Sequence, residues 1–357
     1  MAHVKPPSIA VIVPNRNHAS FLTRCLRSVL EQDVLPDELI VVDDQSTDDS
    51  VAVAQSVIAG HARAQLIVNP VNLGTNGAMN EGLERATSEY VLFLSSTDFV
   101  LPGIFARAKS GLAGMPRVAL WSAMAWMVDE RDEPIRLHPS PVVAVKAARL
   151  SPQRCIELAY RVGNWFTGPT MIYHRHTLHA VGGFDPAYGG LSDLISALTV
   201  TSLKGAAYTP EPFCGIRIHD NSFSWRTLKE SDGLEVMIER LRLRGPRLAP
   251  ALFTPAFIGR MARRNRFAAV RAANGDVSGV ERYTQGGTRW LLRLIGRVMP
   301  SAWRRARLVL AFVVLRPFDV VPTILYRALP WVLVRARSTP RSWAARTAPA
   351  PRGAPSR

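Results

Sequence analysis

Through the first hundred residues, apolar runs of strand length alternate with longer stretches of helical spacing. "IAVIV" (9–13), "LIVV" (39–42), "QLIV" (65–68) and "YVLFL" (90–94) are dense in Val, Ile and Leu without polar alternation. That is the pattern of parallel strands buried on both faces. Phe21, Leu22, Cys25, Leu26, Val29 and Leu30 recur three and four residues apart and predict an amphipathic helix between the first two strands. Val51, Val53, Ala54 and Val57 predict a second helix after Ser46 and Thr47, both suited to capping its N-terminus. A third is predicted from about Thr75 to Ala86. The order βαβαβαβ specifies an α/β fold with a mainly parallel sheet and crossover helices.

Polar residues gather where these strands end. Pro14, Asn15, Arg16 and Asn17 follow the first strand, Asp43 to Ser46 the second, Asn69 to Asn80 the third and Ser95 to Asp98 the fourth. In a parallel sheet all four clusters share the edge where ligands bind. Acids, amides and hydroxyls suit a sugar and a base better than a bare phosphate. Neither G-x-G-x-x-G nor a Walker A loop follows the first strand, which weakens dinucleotide and P-loop readings. Asp48 and Asp49 fit a helix N-terminus, where acids are merely stabilising. Asp43 and Asp44 precede it, and two adjacent acids repel unless something uses one of them.

The segments "IAVIVPNRN", "LIVVDDQSTDDS" and "NPVNLGTNGAMNEGLERATSEYVLFLSSTDFVLPG" together resemble family 2 inverting glycosyltransferases of the GT-A fold. The resemblance continues through "GPTMIYHRHTLHAVGGFDPAYGGLSD" and "YTPEPFCGIRIHDNSFS", to about residue 224. It implies a nucleotide-diphosphate-sugar donor and a hydroxyl acceptor on a glycan or lipid-linked molecule. Pro14, Arg16, Asn17, Asp43, Asp44, Asn80, Asp98 and Arg217 are the donor-binding positions carried over. Arg16 stands where relatives have Tyr, and Met79 where they have Arg. Relatives read "FLDADD" where this chain has "FLSSTD", so Ser95 and Thr97 replace acids and only Asp98 keeps its carboxylate. The resemblance implies a divalent cation, Mg²⁺ or Mn²⁺, on Asp98 and His219. With the acids degraded, either such a site works with diphosphate oxygens, or Arg217 and His219 neutralise the leaving group without metal. Asp193, in register with the family's basic Asp after "GGFD", is the implied general base, with Ser192 in place of the usual Glu. Asp193 also suits a helix N-terminus. Asp185 reads as a turn residue, and Trp165 and Phe166 as core.

Charge divides the chain. Of its 357 residues, 231–357 hold 24 Arg and 6 acids, a net +18, while 1–230 are near neutral at −2. The expected organisation is a GT-A domain over 1–226, a basic helical region over 227–337 and a Pro/Ala/Arg-rich tail over 338–357. Prolines and charges interrupt the apolar stretch 303–337, so it lacks a clean membrane span. Its Trp303, Trp331 and many arginines suit a helix lying on an anionic membrane surface, and a packed helical subdomain competes with that reading. Cys25, Cys155 and Cys214 have neither disulfide nor zinc spacing, and "MAHVKPPS" does not resemble an export leader. The expected location is cytoplasmic, peripheral on the inner face of the membrane. Two rival functions remain: a catalytically impaired GT-A domain that only binds, and a nucleic-acid-binding protein, which rests on charge alone.

Overall fold

Three of the four apolar runs form buried strands where the pattern places them, whereas the run at 65–68 forms a half-exposed strand at the end of the sheet, with Val68 50% exposed. In the computed structural model, which describes residues 6–113, 118–218 and, with breaks at 274–275, 277, 282, 285 and 324, 231–326, the first half reads β1 (Ile9–Asn15), α1 (Ala19–Leu30), β2 (Glu38–Asp43), α2 (Ser50–Ile58), β3 (Ala64–Val68), α3 (Gly74–Arg85) and β4 (Tyr90–Phe93). One start differs from expectation. Helix α2 begins at Ser50 with Asp49 in the cap position, because Ser46 is spent closing a turn on Asp43.

β5 (Phe99–Val100), α4 (Ile104–Ala113), β6 (Leu120–Val128), β7 (Pro134–Leu137), β8 (Ala148–Leu150), α5 (Pro152–Val162), β9 (Ile172–His174), α6 (Arg175–Ala180), α7 (Ser192–Lys204) and β10 (Ala206–Arg217) follow. The strands join one sheet in the order β3-β2-β1-β4-β9-β6-β10-β5, with β7 beside β6 and β8 beside β10. β1 lies parallel between β2 and β4, whereas β9 is antiparallel to both its neighbours. Alternate residues of β1 enter opposite layers. Ile9, Val11 and Val13 pack toward Leu22, Leu26 and Phe105, while Ala10 and Ile12 pack toward Leu83, Phe184 and α5.

The C-terminal region is helical: α8 (Ser231–Leu248), α9 (Pro255–Ala272), α10 (Ser278–Glu281), α11 (Gly286–Val298), α12 (Arg304–Leu315) and α13 (Val320–Thr323). It shares a core with the sheet. Leu234, Met237, Leu241, Phe253, Phe257 and Met261 belong to the same buried cluster as Leu158, Tyr173 and Phe184. Burying a side chain such as Phe257 contributes about 1.5–3 kcal/mol, so this contact is a large one. Arg264 reinforces it. Its guanidinium grips both oxygens of Asp319 at 2.8 Å and donates to the carbonyls of Ala159, Tyr160 and Arg161 in the last turn of α5. The tail 338–357, Trp331 and Arg337 lie outside the described residues. Among the described residues no helix is long and apolar enough to cross a membrane.

Candidate active site

Parallel register brings the first two polar clusters together, since Asn15 pairs with Asp43 across β1 and β2. Asp43 is buried and committed to the protein. Its Oδ2 accepts from Asn15 Nδ2 at 2.8 Å and Ser46 Oγ at 2.6 Å, and its Oδ1 accepts from the Ser46 N–H at 2.8 Å. Asp44 Oδ1 accepts from Asn69 Nδ2 at 2.9 Å and the Leu73 N–H at 2.8 Å, which ties β2 to the loop after β3. Pro14 sits half-buried near the end of β1 and Arg16 is exposed on the loop behind it. Asn17, at φ 56°, accepts from the Thr47 N–H at 2.7 Å while its own N–H donates to Ser46 Oγ. Asn tolerates this left-handed backbone better than most residues. The adjacent repulsive acids are thus resolved by dividing the work: Asp43 braces its own turn, and Asp44 braces the next loop. Asn69 enters the sequence reading only as part of the polar run after the third strand and the Leu73 amide not at all, because their roles exist only once β3 lies beside β2.

The "SSTD" loop is built differently. Ser95 Oγ and Thr97 Oγ1 hydrogen-bond each other at 2.9 Å, and Ser96 Oγ meets His18 Nδ1 at 3.0 Å. Asp98 is 6% exposed and its Oδ1 accepts from the Arg217 N–H at 3.1 Å. Burial pushes its carboxyl up to about 7, against the opposing hydrogen bond and charge of Arg217. The Arg217 guanidinium is enclosed, bonding Asp132 Oδ1 at 2.7 Å through Nε and the Thr97 carbonyl through an Nη. Asp132 also meets Arg24 at 3.3 Å. Arg217 therefore latches the loop instead of reaching into an open site, which departs from its expected diphosphate role.

These residues do not fit a divalent cation. One enclosed carboxylate, already holding an N–H, stands beside a guanidinium, and the two hydroxyls that replace acids bond each other. Among the described residues no cluster of three His, Cys, Asp or Glu has metal-binding geometry. His219, the other expected ligand, lies outside the described residues.

Helix α3 connects this edge to the second half of the site. Asn80 was expected to touch the donor; its side chain instead pairs with a backbone, donating to the Phe184 carbonyl and accepting its N–H, both at 2.9 Å. The neighbouring Gly183 has φ 64°, and a Cβ there would stand 2.5 Å from Asn80 Oδ1, so only glycine permits the clamp. Asn76 Nδ2 adds a bond to the Gly189 carbonyl at 3.0 Å. Asp185 caps the turn through the Ala187 N–H and pairs with Arg244 of α8 at 2.9 Å. The loop 182–191 is consequently fixed from both sides, and it delivers Asp193 in the first turn of α7. Asp193 Oδ1 accepts from the Leu194 N–H at 2.7 Å. Burial pushes its carboxyl up to about 6, more than that bond lowers it. Trp165 and Phe166 stack at 3.9 Å between centroids and are buried, which makes them core.

The site so assembled combines a strand-end cluster of polar groups, braced by its own hydrogen bonds, with one partly exposed carboxylate raised to about 6. Comparison with known proteins bears on the fold and on the first third of the chain. The glycosyl transferase family 2 model matches residues 10–108. A Haemophilus influenzae "uncharacterized glycosyltransferase" is 38% identical over 94 residues, 26% of this chain and 38% of that protein. A Campylobacter jejuni GalNAc(5)-diNAcBac-PP-undecaprenol beta-1,3-glucosyltransferase is 35% identical over 112 residues, 30% of this chain and 36% of that protein. Both matches span well under half of those proteins. Among solved structures, a Pyrobaculum calidifontis mannosyltransferase in complex with GDP-Man and Mn²⁺ aligns with TM-score 0.51 at 19% identity, covering 87% of each chain. Residues 10–108 therefore match glycosyl transferase family 2, and the sheet that carries them has the GT-A fold.

Proposed function

We propose that the chain transfers a sugar from a nucleotide-diphosphate-sugar to a hydroxyl of a glycan or lipid-linked acceptor, with inversion, at the cytoplasmic face of a membrane. The observation that carries this is the hydrogen-bonded polar cluster at the strand ends together with the raised carboxyl of Asp193, delivered by a loop that α3 clamps. Asp44 and the backbone around Pro14 and Asn17 receive the nucleoside. Arg16, the only Lys or Arg among residues 14–18, 43–49, 69–73 and 95–98, supplies positive charge to the diphosphate. Asp193 takes the proton of the acceptor hydroxyl as its oxygen attacks the anomeric carbon. The bond to the diphosphate oxygen breaks on the opposite face. A carboxyl pushed up toward neutrality is a stronger base than an ordinary one yet stays largely ionised at pH 7. Gly168 borders its Oδ2 without a side chain, which leaves room for that hydroxyl. A nearby carbohydrate-active relative acts on an undecaprenol-linked acceptor, and a structural neighbour holds a nucleotide sugar.

The test is release of nucleoside diphosphate from a panel of sugar nucleotides, with and without polyprenyl-linked and free glycan acceptors. Acceptor-dependent release with an inverted product is the expected result. Donor binding without release under every condition would leave a binding module in place of an enzyme.

A further inference from the structure

We infer that α11 and α12 form a docking surface for an anionic lipid bilayer. Over residues 286–315 the chain carries Arg289, Arg293, Arg297, Arg304, Arg305 and Arg307 and no acid. The two helices use only part of their apolar surface to pack. In α11, Leu292 and Ile295 are buried, while Trp290, Leu291, Leu294 and Val298 are exposed, Trp290 at 61% and Val298 at 67%. At 100° per residue these four lie within one arc beside the buried pair, and Arg289, Arg293 and Arg297 occupy the next arc. In α12, Ala311 and Leu315 face the core at helical spacing. Val309, Leu310 and Val313 fall on the opposite side, exposed at 43% to 62%.

From Leu308 to Leu315 α12 has no polar residue at all. A helix apolar all round is normally covered. The occupant is specified by what surrounds the apolar faces. Trp303, also 61% exposed, stands at the junction of the two helices, and tryptophan prefers the headgroup level of a bilayer. Arg304 and Arg305 follow it directly and are exposed. Arg293, Arg297 and Arg307 line one open cleft of about 580 Å³ together with Asp276 and Glu281; Arg293 pairs with Glu281 at 2.8 Å, and Arg297 and Arg307 are the donors offered to a phosphate headgroup. Apolar side chains bounded by tryptophan and by the exposed Arg297, Arg304 and Arg305 match an interface with an acidic headgroup layer above hydrocarbon. A protein partner of the same apolar shape would have to bring its own dense negative charge.

The surface lies closer to the catalytic fold than the apolar stretch 303–337 suggested. α12 packs through Phe312 on Phe267 of α9, and α9 holds α5 through Arg264. Membrane docking would thus orient the whole sheet, not a detached tail. This inference deepens the membrane placement in the proposed function without resting on the transfer chemistry, and vesicle binding and sugar transfer fail independently.

The experiment is flotation of the full chain with vesicles of phosphatidylcholine alone and of phosphatidylcholine mixed with phosphatidylglycerol. Binding is expected only to the anionic vesicles, falling as salt rises. The exposed triple variant Arg297→Gln, Arg304→Gln, Arg305→Gln is expected to bind about a hundredfold more weakly, roughly fivefold for each basic group near anionic lipid. Val309→Ser with Val313→Ser is expected to weaken binding as well, and circular dichroism and thermal melts of both variants are expected to match the parent. Quenching of fluorescence by brominated lipid should fall on Trp303→Phe. Equal binding by the folded variants, binding to neither vesicle, self-association that buries the patch and blocks vesicles, or preference for duplex DNA over anionic vesicles would each overturn the assignment.

Discussion

Asp193, half-buried, and Asp319, 2% exposed, are carboxylates in two different regions, and they end in opposite states. Burial pushes both upward. At Asp319, in the C-terminal helices, the hydrogen bonds and charges of Arg264 and Arg316 outweigh it and hold the carboxyl below the usual range. At Asp193, beside the sheet edge, one backbone N–H from Leu194 does not, and the carboxyl rises to about 6. Burial alone therefore decides neither structure nor chemistry. The number and charge of the partners does, and it separates a residue that fastens two regions together from one that can accept a proton.

The contrast breaks most directly at Asp193. Asp193→Asn keeps shape and helix position but removes the base, so turnover should fall by about 10²-fold or more, a typical general-base effect, with donor affinity retained. Turnover at the parental rate would move the base elsewhere. Asp319→Ala should do the reverse. It leaves buried guanidiniums unpaired and should cost about 3–5 kcal/mol in urea unfolding, with turnover per folded molecule unchanged. If the variant is as stable as the parent, the fastening role is wrong.

Asp44→Ala comes next, because hydrogen bonds to a charged group contribute about 1.5–3 kcal/mol; nucleotide affinity measured by calorimetry should drop by about tenfold or more. The pH dependence sharpens the pair further. Turnover should rise with pH through about 6 as Asp193 ionises, and this limb should vanish in Asp193→Asn. The stability signs are opposite. Asp193 is raised from 3.8, so its contribution is present below about 4 and lost as pH rises through about 6. Asp319 is lowered, so its contribution is present above 3.8 and lost on acidification through its folded value. Subtracting the two variants' unfolding curves from the parent's should reveal these opposed slopes. The smallest effect concerns metal: since the Ser95–Asp98 loop does not fit a cation, chelation should change turnover by less than about twofold, whereas Thr97→Asp should introduce a dependence on Mn²⁺. Abolition of parental activity by chelation would show that ligands outside the described residues complete a cation site.

Much of the sheet was legible in the residues. Four Val/Ile/Leu-rich runs, the face of α1 and the strand-end polar clusters follow from local periodicity, which depends on neighbours a few positions away. The same holds for Asp185 as a turn residue and for Trp165 and Phe166 as core. Asn80 and Arg217 show where that reasoning ends. Their residue types suit ligand binding, yet Asn80 clamps a backbone 104 positions away and Arg217 latches Thr97 across 120. The C-terminal helices make the same point on a larger scale. Their charge and amphipathic spacing are readable in the chain, but which apolar face is covered is not. The order of the first seven elements and the chemistry offered at the sheet edge could be read from the residues, because both are set by local side-chain pattern. Tertiary structure alone decided which polar groups are spent on the protein and which carboxylate is left to react, because hydrogen-bond partners and burial come from segments distant in the chain.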